Sequence, residues 1–472
     1  MPGLSSEADR LAHLLRRTTW GLTPDLVARA TKLGRAAWLE QQLRPASVAD
    51  REGDAVVDRF PTLALTSAQV RSRYSDGSWD VMFDLGKAAL GRAAWSRRQL
   101  LEVMVDVWSN HLNVTCPSDN VWDNRHRYDA DVIRRHALGR FADLLKAAIT
   151  HPAMLTYLDN ASSTKKAPNE NLGRELLELH TVGVGAGYTE AEVRDSARIL
   201  TGLTVDDDGA ALYRPRWHWT GPVTVLGFSH PNASADGSGV VTAYLDHLAR
   251  HPATARRIAT LLARRFVSDT PPAGLVDRLA KAYTAADTAV APVLRLLLTS
   301  PEFLASADAK QRRPLESVVA TVRALGFAQA RRGDDELEGL YWALESMGHQ
   351  PLAWPSPDGY PDVATAWTSS AATLARWNVT LGIAAGWWPK GFAQANLAAL
   401  LPRPRPATHG ALVAALGRRL LQRPLPAAQV TAICSFLEVG TRTPVRADSA
   451  VVGWRLPYVA ALILSSPVHL AR

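Results

Sequence analysis

Apolar side chains recur at intervals of three and four residues along most of the chain, a spacing that predicts amphipathic α-helices. The clearest predicted helices are 24–43, 95–112, 140–149, 190–202, 241–267, 275–285, 312–328, 371–386, 409–422 and 427–438. One segment, 203–240, is instead rich in Asp, Gly, Pro and Ser, and its pieces ALYRPRWHWT and PVTVLGF could pair as a β-hairpin. The pattern therefore predicts a mainly α fold, a multi-helix array with a small β-hairpin insertion near 203–240.

A helix followed by a polar residue, a proline and a second helix occurs repeatedly. The segments are 141–155 (FADLLKAAITHPAML), 290–304 (VAPVLRLLLTSPEFL), 456–470 (LPYVAALILSSPVHL) and, more weakly, 244–255 (YLDHLARHPATA). Ser300 and Ser466 are expected to cap the second helix, and the proline suits its first position. His151 and His251 occupy the same cap position, which favours a structural role for both. The array is therefore expected to contain repeated helix–Pro–helix joints.

The length of 472 residues exceeds what one compact core usually holds, so several regions are expected. The predicted division is 1–202 as an N-terminal helical region with the candidate site, 203–240 as the hairpin and loop insertion, 241–310 as a central helical region and 311–472 as a C-terminal helical region.

Composition and charge narrow the classes of protein. The formal charge is +8, but the arginines are scattered, often as doublets such as Arg16-Arg17 and Arg264-Arg265, which usually lie on solvated helix faces. We therefore expect no nucleic-acid partner. No apolar run is long enough to span a membrane, and no hydrophobic leader is present, which predicts a cytoplasmic protein, with export alongside a partner as the alternative. The two cysteines, Cys116 and Cys434, exclude a disulfide framework.

The densest chemistry lies in residues 169–183, NENLGRELLELHTVG. On a straight helix Asn171, Arg174, Glu175 and Glu178 share one face, and leucines share the adjacent face. Glu175 and Glu178 could converge on one cation, as carboxylates do in helical bundles. His180 points away by about 160° unless the helix ends there. The alternative is an ordinary helix, in which Arg174 pairs with Glu178 four residues later and Glu175 is solvated.

A second candidate is His111, in the segment MVDVWSNHLNV. A single histidine on an apolar helix is usually a hydrogen-bonded core residue, but a neutral imidazole is also a common metal ligand. If His111 meets Glu175, Glu178 or His180 across two helices, the four side chains form a mixed site suited to a divalent Fe, Mn or Zn ion. The sequence thus predicts His111, Glu175, Glu178 and His180 as metal ligands.

Several segments resemble an uncharacterised bacterial family catalogued as domain of unknown function 1800. They are 13–24, 110–114, 136–160, 169–204, 251–272 and 348–362, which together extend over nearly the whole chain. The resemblance implies a mostly helical protein, often encoded beside a sulfatase- or phosphatase-like family, domain of unknown function 1501, which is a candidate partner. The chain departs from the family pattern at Ser109, where a His is frequent, and at Trp219 and Val223, where an Asp and a Lys are frequent. A role that depends on those residues is in doubt here.

Two alternative functions, from different classes of protein, are therefore candidates. The first is a metal-dependent enzyme, hydrolytic through a metal-activated water or oxidative through open iron positions. In it, Arg174, Glu178 and Asn171 act on or orient the substrate beside the metal. The second is a non-catalytic helical scaffold that holds a partner enzyme, with the polar cluster as a buried structural network.

Overall fold

The computed structural model describes residue 4 and residues 6–330, 332–392 and 397–472. Within these residues the chain forms 24 α-helices, which confirms the mainly α fold. The helices are α1 (Glu7–Thr18), α2 (Pro24–Leu33), α3 (Arg35–Gln42), α4 (Arg51–Asp58), α5 (Ser67–Arg73), α6 (Asp80–Trp95), α7 (Gln99–His111), α8 (Arg125–Arg127), α9 (Phe141–Ile149), α10 (Pro152–Tyr157), α11 (Glu170–Glu175), α12 (Glu190–Leu200), α13 (Ser238–Arg250), α14 (Pro252–Phe266), α15 (Ala273–Ala285), α16 (Val290–Thr299), α17 (Pro301–Ala305), α18 (Pro314–Leu325), α19 (Asp335–Glu345), α20 (Ser370–Ala385), α21 (His409–Leu421), α22 (Ala427–Phe436), α23 (Leu456–Leu464) and α24 (Pro467–Leu470).

The insertion near 203–240 contains two small antiparallel sheets. Strand β1 (Leu203–Val205) pairs with β2 (Ala211–Tyr213), and β3 (Val223–Val225) pairs with β4 (Phe228–His230). The predicted pairing of ALYRPRWHWT with PVTVLGF is therefore wrong in detail. The reason is the turn at Leu226 and Gly227, whose φ angles of 47° and 83° fit a two-residue hairpin turn, so the first half of PVTVLGF pairs with Phe228–His230 and not with ALYRPRWHWT.

The helix–Pro–helix joints are confirmed at α9–α10, α13–α14, α16–α17 and α23–α24. The hydroxyl oxygens of Ser300 and Ser466 accept backbone N–H groups of the following helices. His151 and His251 cap in the same way through Nδ1, which accepts from Ala153 N at 3.1 Å and from Ala253 N at 3.2 Å. The predicted helix 241–267 is consequently two helices that meet at His251.

The predicted helix 24–43 is likewise two helices, α2 and α3. Gly34 lies between them with φ of 82°, a backbone conformation that side chains with a Cβ rarely adopt. Its N–H donates to Ala30 O at 2.9 Å, which ends α2. The apolar spacing continues through the break, because both helices pack against α1.

Buried apolar side chains from Leu11 to Leu464 form one contiguous core. On it, the C-terminal end of α7, the segment after α11, helix α14, the N-terminal end of α18 and the loop 350–362 come together around one cleft. The fold therefore gathers, at one place, residues that are far apart in sequence. The division of the chain into four regions stays a prediction.

Helix length bears on membrane crossing. About 20 apolar residues are needed to cross a bilayer as a helix. The longest described helices, α6 and α20, have 16 residues each. Among the residues that the structure describes, no helix is long and apolar enough to cross a membrane.

Candidate functional site: an arginine-lined cleft

Helix α11 does not continue as a regular α-helix beyond Glu175. Residues Leu176–His180 form a π-helical turn, in which each residue turns the chain less than in an α-helix. The turn is closed by Thr181, whose hydroxyl donates to Leu176 O at 2.5 Å, and by Gly183 N, which donates to Leu177 O at 2.8 Å. The 160° separation expected for His180 on a straight helix therefore does not apply.

His111 and His180 lie against each other at the ends of α7 and the π-helical turn. The Nε2 atom of His111 lies 3.0 Å from His180 O, and Nδ1 of His180 lies 2.8 Å from His111 O. A carbonyl oxygen can only accept, so both of these nitrogens carry the proton. The reciprocal pair fixes the tautomer and the orientation of both rings.

Each imidazole has one further nitrogen. Nε2 of His180 is buried and has no hydrogen-bond partner in the described part of the chain. Nδ1 of His111 has none there either, and His111 lines the cleft. Burial lowers the pKa of His180 to about 4 and, together with the positive charge of Arg257, holds the pKa of His111 well below its ordinary value. Both rings are therefore neutral near pH 7, and His111 offers a free lone pair.

The carboxylates of the 169–183 segment belong to a different set of contacts. Arg174 pairs with Glu178 at 3.4 Å, with Glu170 at 3.2 Å and with Glu190 at 2.7 Å. The ion pair between Arg174 and Glu178, expected for an ordinary helix, is thus present. The three glutamates together hold Arg174 at the surface. Asn171 contacts the carboxylate of Asp159 at 3.4 Å.

Glu175 has no ion-pair partner within the described ranges. Burial raises the pKa of its carboxyl, and the negative charges of Glu178 and Asp358 raise it further. Asp358 lines the cleft, whereas Glu175 and Glu178 are not among its lining residues.

The structure brings the predicted metal ligands together in two pairs, His111 with His180 and Glu175 with Glu178. No hydrogen bond or ion pair of the described residues joins one pair to the other. Within residues 4, 6–330, 332–392 and 397–472, no three His, Cys, Asp or Glu side chains are grouped closely enough to hold a metal ion. Binding of one ion by all four residues would require the π-helical turn to move.

The cleft has a volume of about 780 Å³. The C-terminal end of α7 forms one wall and α14 another, while residues 182–186 and 354–362 close the sides. The charged and polar residues that line it are Asp106, Asn110, His111, Arg256, Arg257, Thr260, Arg264, Arg265, Arg313, Asp358, Tyr360 and Asp362. Five of these are arginines and three are aspartates, so the lining is positively charged.

Two of the five arginines lack a carboxylate partner among the described residues. Arg257 donates from Nε to Leu179 O at 3.0 Å, and Arg264 only reaches Asp269 O at 3.4 Å. The two lie seven residues apart on the same side of α14. Burial, and then the positive charge of Arg264, lowers the pKa of Arg257. Their charges are therefore unbalanced at the cleft surface.

The glycine-rich run after the π-helical turn contributes to this wall. The run begins at Gly183, which has φ of 88° and follows the last turn. A Cβ on Gly183 would lie 2.9 Å from Nη1 of Arg257, so the guanidinium rests directly on the glycine backbone. Gly185 has open space on its side-chain face. The run therefore gives Arg257 its place at the cleft.

A buried ion network lies behind the cleft. Glu316 of α18 contacts Arg265 at 2.5 Å and Arg472 at 2.7 Å, and Arg313 contacts Asp106 at 2.5 Å. These side chains are almost completely buried, apart from Asp106 at the cleft wall. The network connects α7, α14 and α18 and thus fixes the positions of the cleft arginines.

The loop 350–362 is tied to the end of α7. Asn113 donates from Nδ2 to Trp354 O at 2.9 Å and to Ser356 O at 2.7 Å. Tyr360 N donates to Oδ1 of Asn110 at 2.9 Å. The loop wall of the cleft therefore depends on residues beside His111.

These contacts define a mainly helical protein with a positively charged cleft and a neutral histidine in its wall. The chain belongs to the family described as Protein of unknown function (DUF1800), whose model matches residues 13–470. The resemblance found in the sequence is thus confirmed over nearly the whole chain. No curated protein and no solved structure matches the chain.

Proposed function

We propose that the protein is a hydrolytic enzyme that binds a small anionic substrate in the arginine-lined cleft and uses His111 as the general base. One observation carries the proposal. A neutral imidazole, fixed by its Nε2–H bond to His180 O and with Nδ1 unpartnered, lines a cleft in which Arg257 and Arg264 lack carboxylate partners.

In this mechanism Arg257 and Arg264 hold the anionic group of the substrate by charge-assisted hydrogen bonds. Nδ1 of His111 accepts a proton from water as the water oxygen attacks the substrate, and the leaving group departs with its electron pair. The bond from Nε2–H to His180 O orients the ring and stabilises the imidazolium that forms. A bound anion also offsets the positive charge of Arg257, which raises the pKa of His111 toward the range useful for proton transfer.

A divalent Fe, Mn or Zn ion held by His111, Glu175, Glu178 and His180 stays a prediction, as do the roles of Arg174, Glu178 and Asn171 toward a substrate. Nδ1 of His111 is the nitrogen best placed for such an ion, because Nε2 is bonded to a carbonyl oxygen. Elemental analysis of protein purified without a tag tests whether the protein holds such a metal ion. Metal in a one-to-one ratio would support it, and full activity of metal-free protein would contradict it.

The non-catalytic scaffold stays the second candidate, with a protein of the family domain of unknown function 1501 as the proposed partner. Absence of a nucleic-acid partner and a cytoplasmic location are likewise predictions. The two functions differ in a simple readout, because a scaffold has no turnover that depends on His111.

Anion binding is expected to depend on the two unbalanced arginines. Replacement of both in Arg257→Gln/Arg264→Gln is expected to weaken binding of inorganic phosphate and sulfate about 10²- to 10⁴-fold, since each of the two charge-assisted hydrogen bonds contributes about 1.5–3 kcal/mol. Isothermal titration calorimetry measures the affinities. Arg278→Gln is the matched control, because Arg278 pairs with Glu302 on the surface of α15. Equal affinities in the double variant and the control would refute the proposed binding site.

Turnover is expected to depend on His111. In assays with 4-nitrophenyl phosphate, sulfate and acetate, His111→Gln is expected to lower the rate on the preferred ester about 10²–10⁴-fold, the usual contribution of a general base. The affinity for the inorganic anion is expected to stay within about twofold of the wild-type value, because Arg257 and Arg264 remain. Anion binding without any His111-dependent turnover would favour the scaffold.

A further inference from the structure

Positive charge is distributed unevenly along the chain. Residues 370–472 contain 11 Lys and Arg but only two acidic residues, Glu438 and Asp448. The other 369 residues contain 42 basic and 43 acidic residues, so their charges cancel. The whole net positive charge of the protein thus lies in its last 103 residues.

Many of these basic side chains are exposed and unpaired. The set is Arg403, Arg405, Arg418, Arg419, Arg442 and Arg446. None of the six makes an ion pair with a described carboxylate. Their field is therefore available to an anionic surface.

The same part of the chain exposes large aromatic side chains. Trp454 is 66% exposed, Trp387 54% and Trp377 51%, and Trp388 is exposed beside Trp387. The indole N–H groups of these four have no hydrogen-bond partner among the residues described, whereas buried Trp108 donates to Ala137 O. Exposed clusters of large apolar side chains mark interaction surfaces.

Ring contacts join two of the exposed tryptophans through a tyrosine. The rings of Trp387 and Trp454 both lie 6.2 Å from the ring of Tyr458, on α23. Arg455 lies over the Trp454 ring at 4.9 Å, and its Nη1 donates to Leu437 O, next to exposed Phe436. We name Trp387, Trp388, Trp454, Tyr458 and Phe436 the aromatic patch.

We propose that the aromatic patch docks on an anionic lipid bilayer. Tryptophan prefers the boundary between lipid tails and headgroups, where the ring is apolar and the N–H finds an acceptor. Arg455 lies at the patch, and the excess of basic residues in 370–472 adds attraction to anionic headgroups, so that apolar insertion and charge together hold a peripheral protein. The docking would bring the enzyme to the membrane surface and does not depend on what the cleft binds.

Vesicle co-sedimentation tests the proposal. The full chain is expected to bind vesicles of phosphatidylcholine and phosphatidylglycerol in equal parts at least about tenfold more strongly than phosphatidylcholine vesicles, and to release at high salt. Trp387→Ser/Trp454→Ser is expected to weaken binding about tenfold or more, because the two side chains carry most of the inserted apolar area. Both residues are exposed, so the melting temperature is expected to stay unchanged.

Matched control variants test whether vesicle binding depends on the patch or on exposed Trp and Arg side chains anywhere on the protein. Trp79→Ser removes an exposed tryptophan outside residues 370–472 and is expected to leave vesicle binding unchanged. Arg442→Gln/Arg446→Gln is expected to weaken binding to the mixed vesicles, whereas Arg73→Gln/Arg135→Gln, which removes two exposed arginines elsewhere, is not.

Three results would overturn the proposal. The first is no binding to the mixed vesicles, and the second is equal binding by Trp387→Ser/Trp454→Ser and Trp79→Ser. The third is a dimer in analytical ultracentrifugation that the patch variant abolishes while vesicles are not bound, which would assign the patch to a second copy of the chain.

Discussion

Replacement of Glu316 by Gln is expected to lower the free energy of unfolding by about 3–5 kcal/mol, the usual loss when one partner of a buried ion network is removed. Glu316 is buried at the N-terminal end of α18 and contacts Arg265 at 2.5 Å, Arg472 at 2.7 Å and Arg313 at 3.4 Å. The variant leaves three guanidinium groups without their shared carboxylate. Denaturation by urea, followed by tryptophan fluorescence, measures the loss.

The same carboxylate predicts acid sensitivity. The positive charges of Arg265, Arg472 and Arg313 outweigh burial and hold the pKa of Glu316 well below its ordinary value. A lowered pKa in the folded state means that the stabilisation is fully present above about pH 4.5, the pKa of an unperturbed Glu, and is lost as the pH falls below it. The wild-type protein is therefore expected to lose more stability in acid than Glu316→Gln does.

The control for this prediction is Glu302→Gln, which breaks the exposed pair of Glu302 with Arg278. Water screens such pairs, so the expected loss is within about 1 kcal/mol. If Glu316→Gln costs no more than Glu302→Gln, the network does not hold α14 against α18, and the fixed placement of the cleft arginines would have to be explained otherwise.

Features set by local chemistry could be predicted from the sequence. The joint at Ser300-Pro301 needs only a capping hydroxyl and a proline, both visible in a few residues, and the structure contains it. His151 caps its helix for the same local reason. The ion pair of Arg174 with Glu178 could also be predicted from the sequence, because side chains four residues apart on a helix lie next to each other.

The geometry of the candidate site could be predicted only in part. The faces predicted for residues 171–180 are those of a straight α-helix, but the chain enters a π-helical turn after Glu175, and no spacing rule signals such a turn. His111 does reach this segment. It meets His180, through backbone carbonyls, and not the carboxylates.

The arginines of the cleft were missed for a physical reason. Doublets were expected on solvated faces, yet Arg17 and Arg265 are buried and Arg16 nearly so. Neighbouring residues on a helix point about 100° apart, so Arg264 reaches the cleft while Arg265 reaches Glu316 behind it. The signal that could have separated them is the seven-residue spacing of Arg257 and Arg264, which places both on one face.

The loop wall of the cleft gives the other prediction with a large expected effect. Gly359 has φ of 71°, and a Cβ there would lie 2.1 Å from the backbone oxygen of Asn110. Gly359→Ala therefore adds a backbone clash to the cost of a left-handed conformation, and we expect a loss of about 2–4 kcal/mol in the free energy of unfolding. Because Asn110 precedes His111, the clash also displaces the cleft wall, and the affinity for inorganic phosphate is expected to fall about tenfold.

Gly348 provides the matched control, because its φ of 67° is nearly the same and a Cβ there would meet nothing within 4 Å. Gly348→Ala is expected to cost only the backbone strain, about 1–2 kcal/mol, and to leave phosphate affinity unchanged. Urea denaturation and calorimetry of the two variants isolate the contact between Gly359 and Asn110, since the conformational cost cancels in the comparison. Equal stability and equal affinity would mean that the 350–362 loop can yield without disturbing His111. A loss of phosphate affinity in Gly359→Ala alone, with a larger loss of stability than in Gly348→Ala, would instead show that the cleft wall depends on its contact with the end of α7.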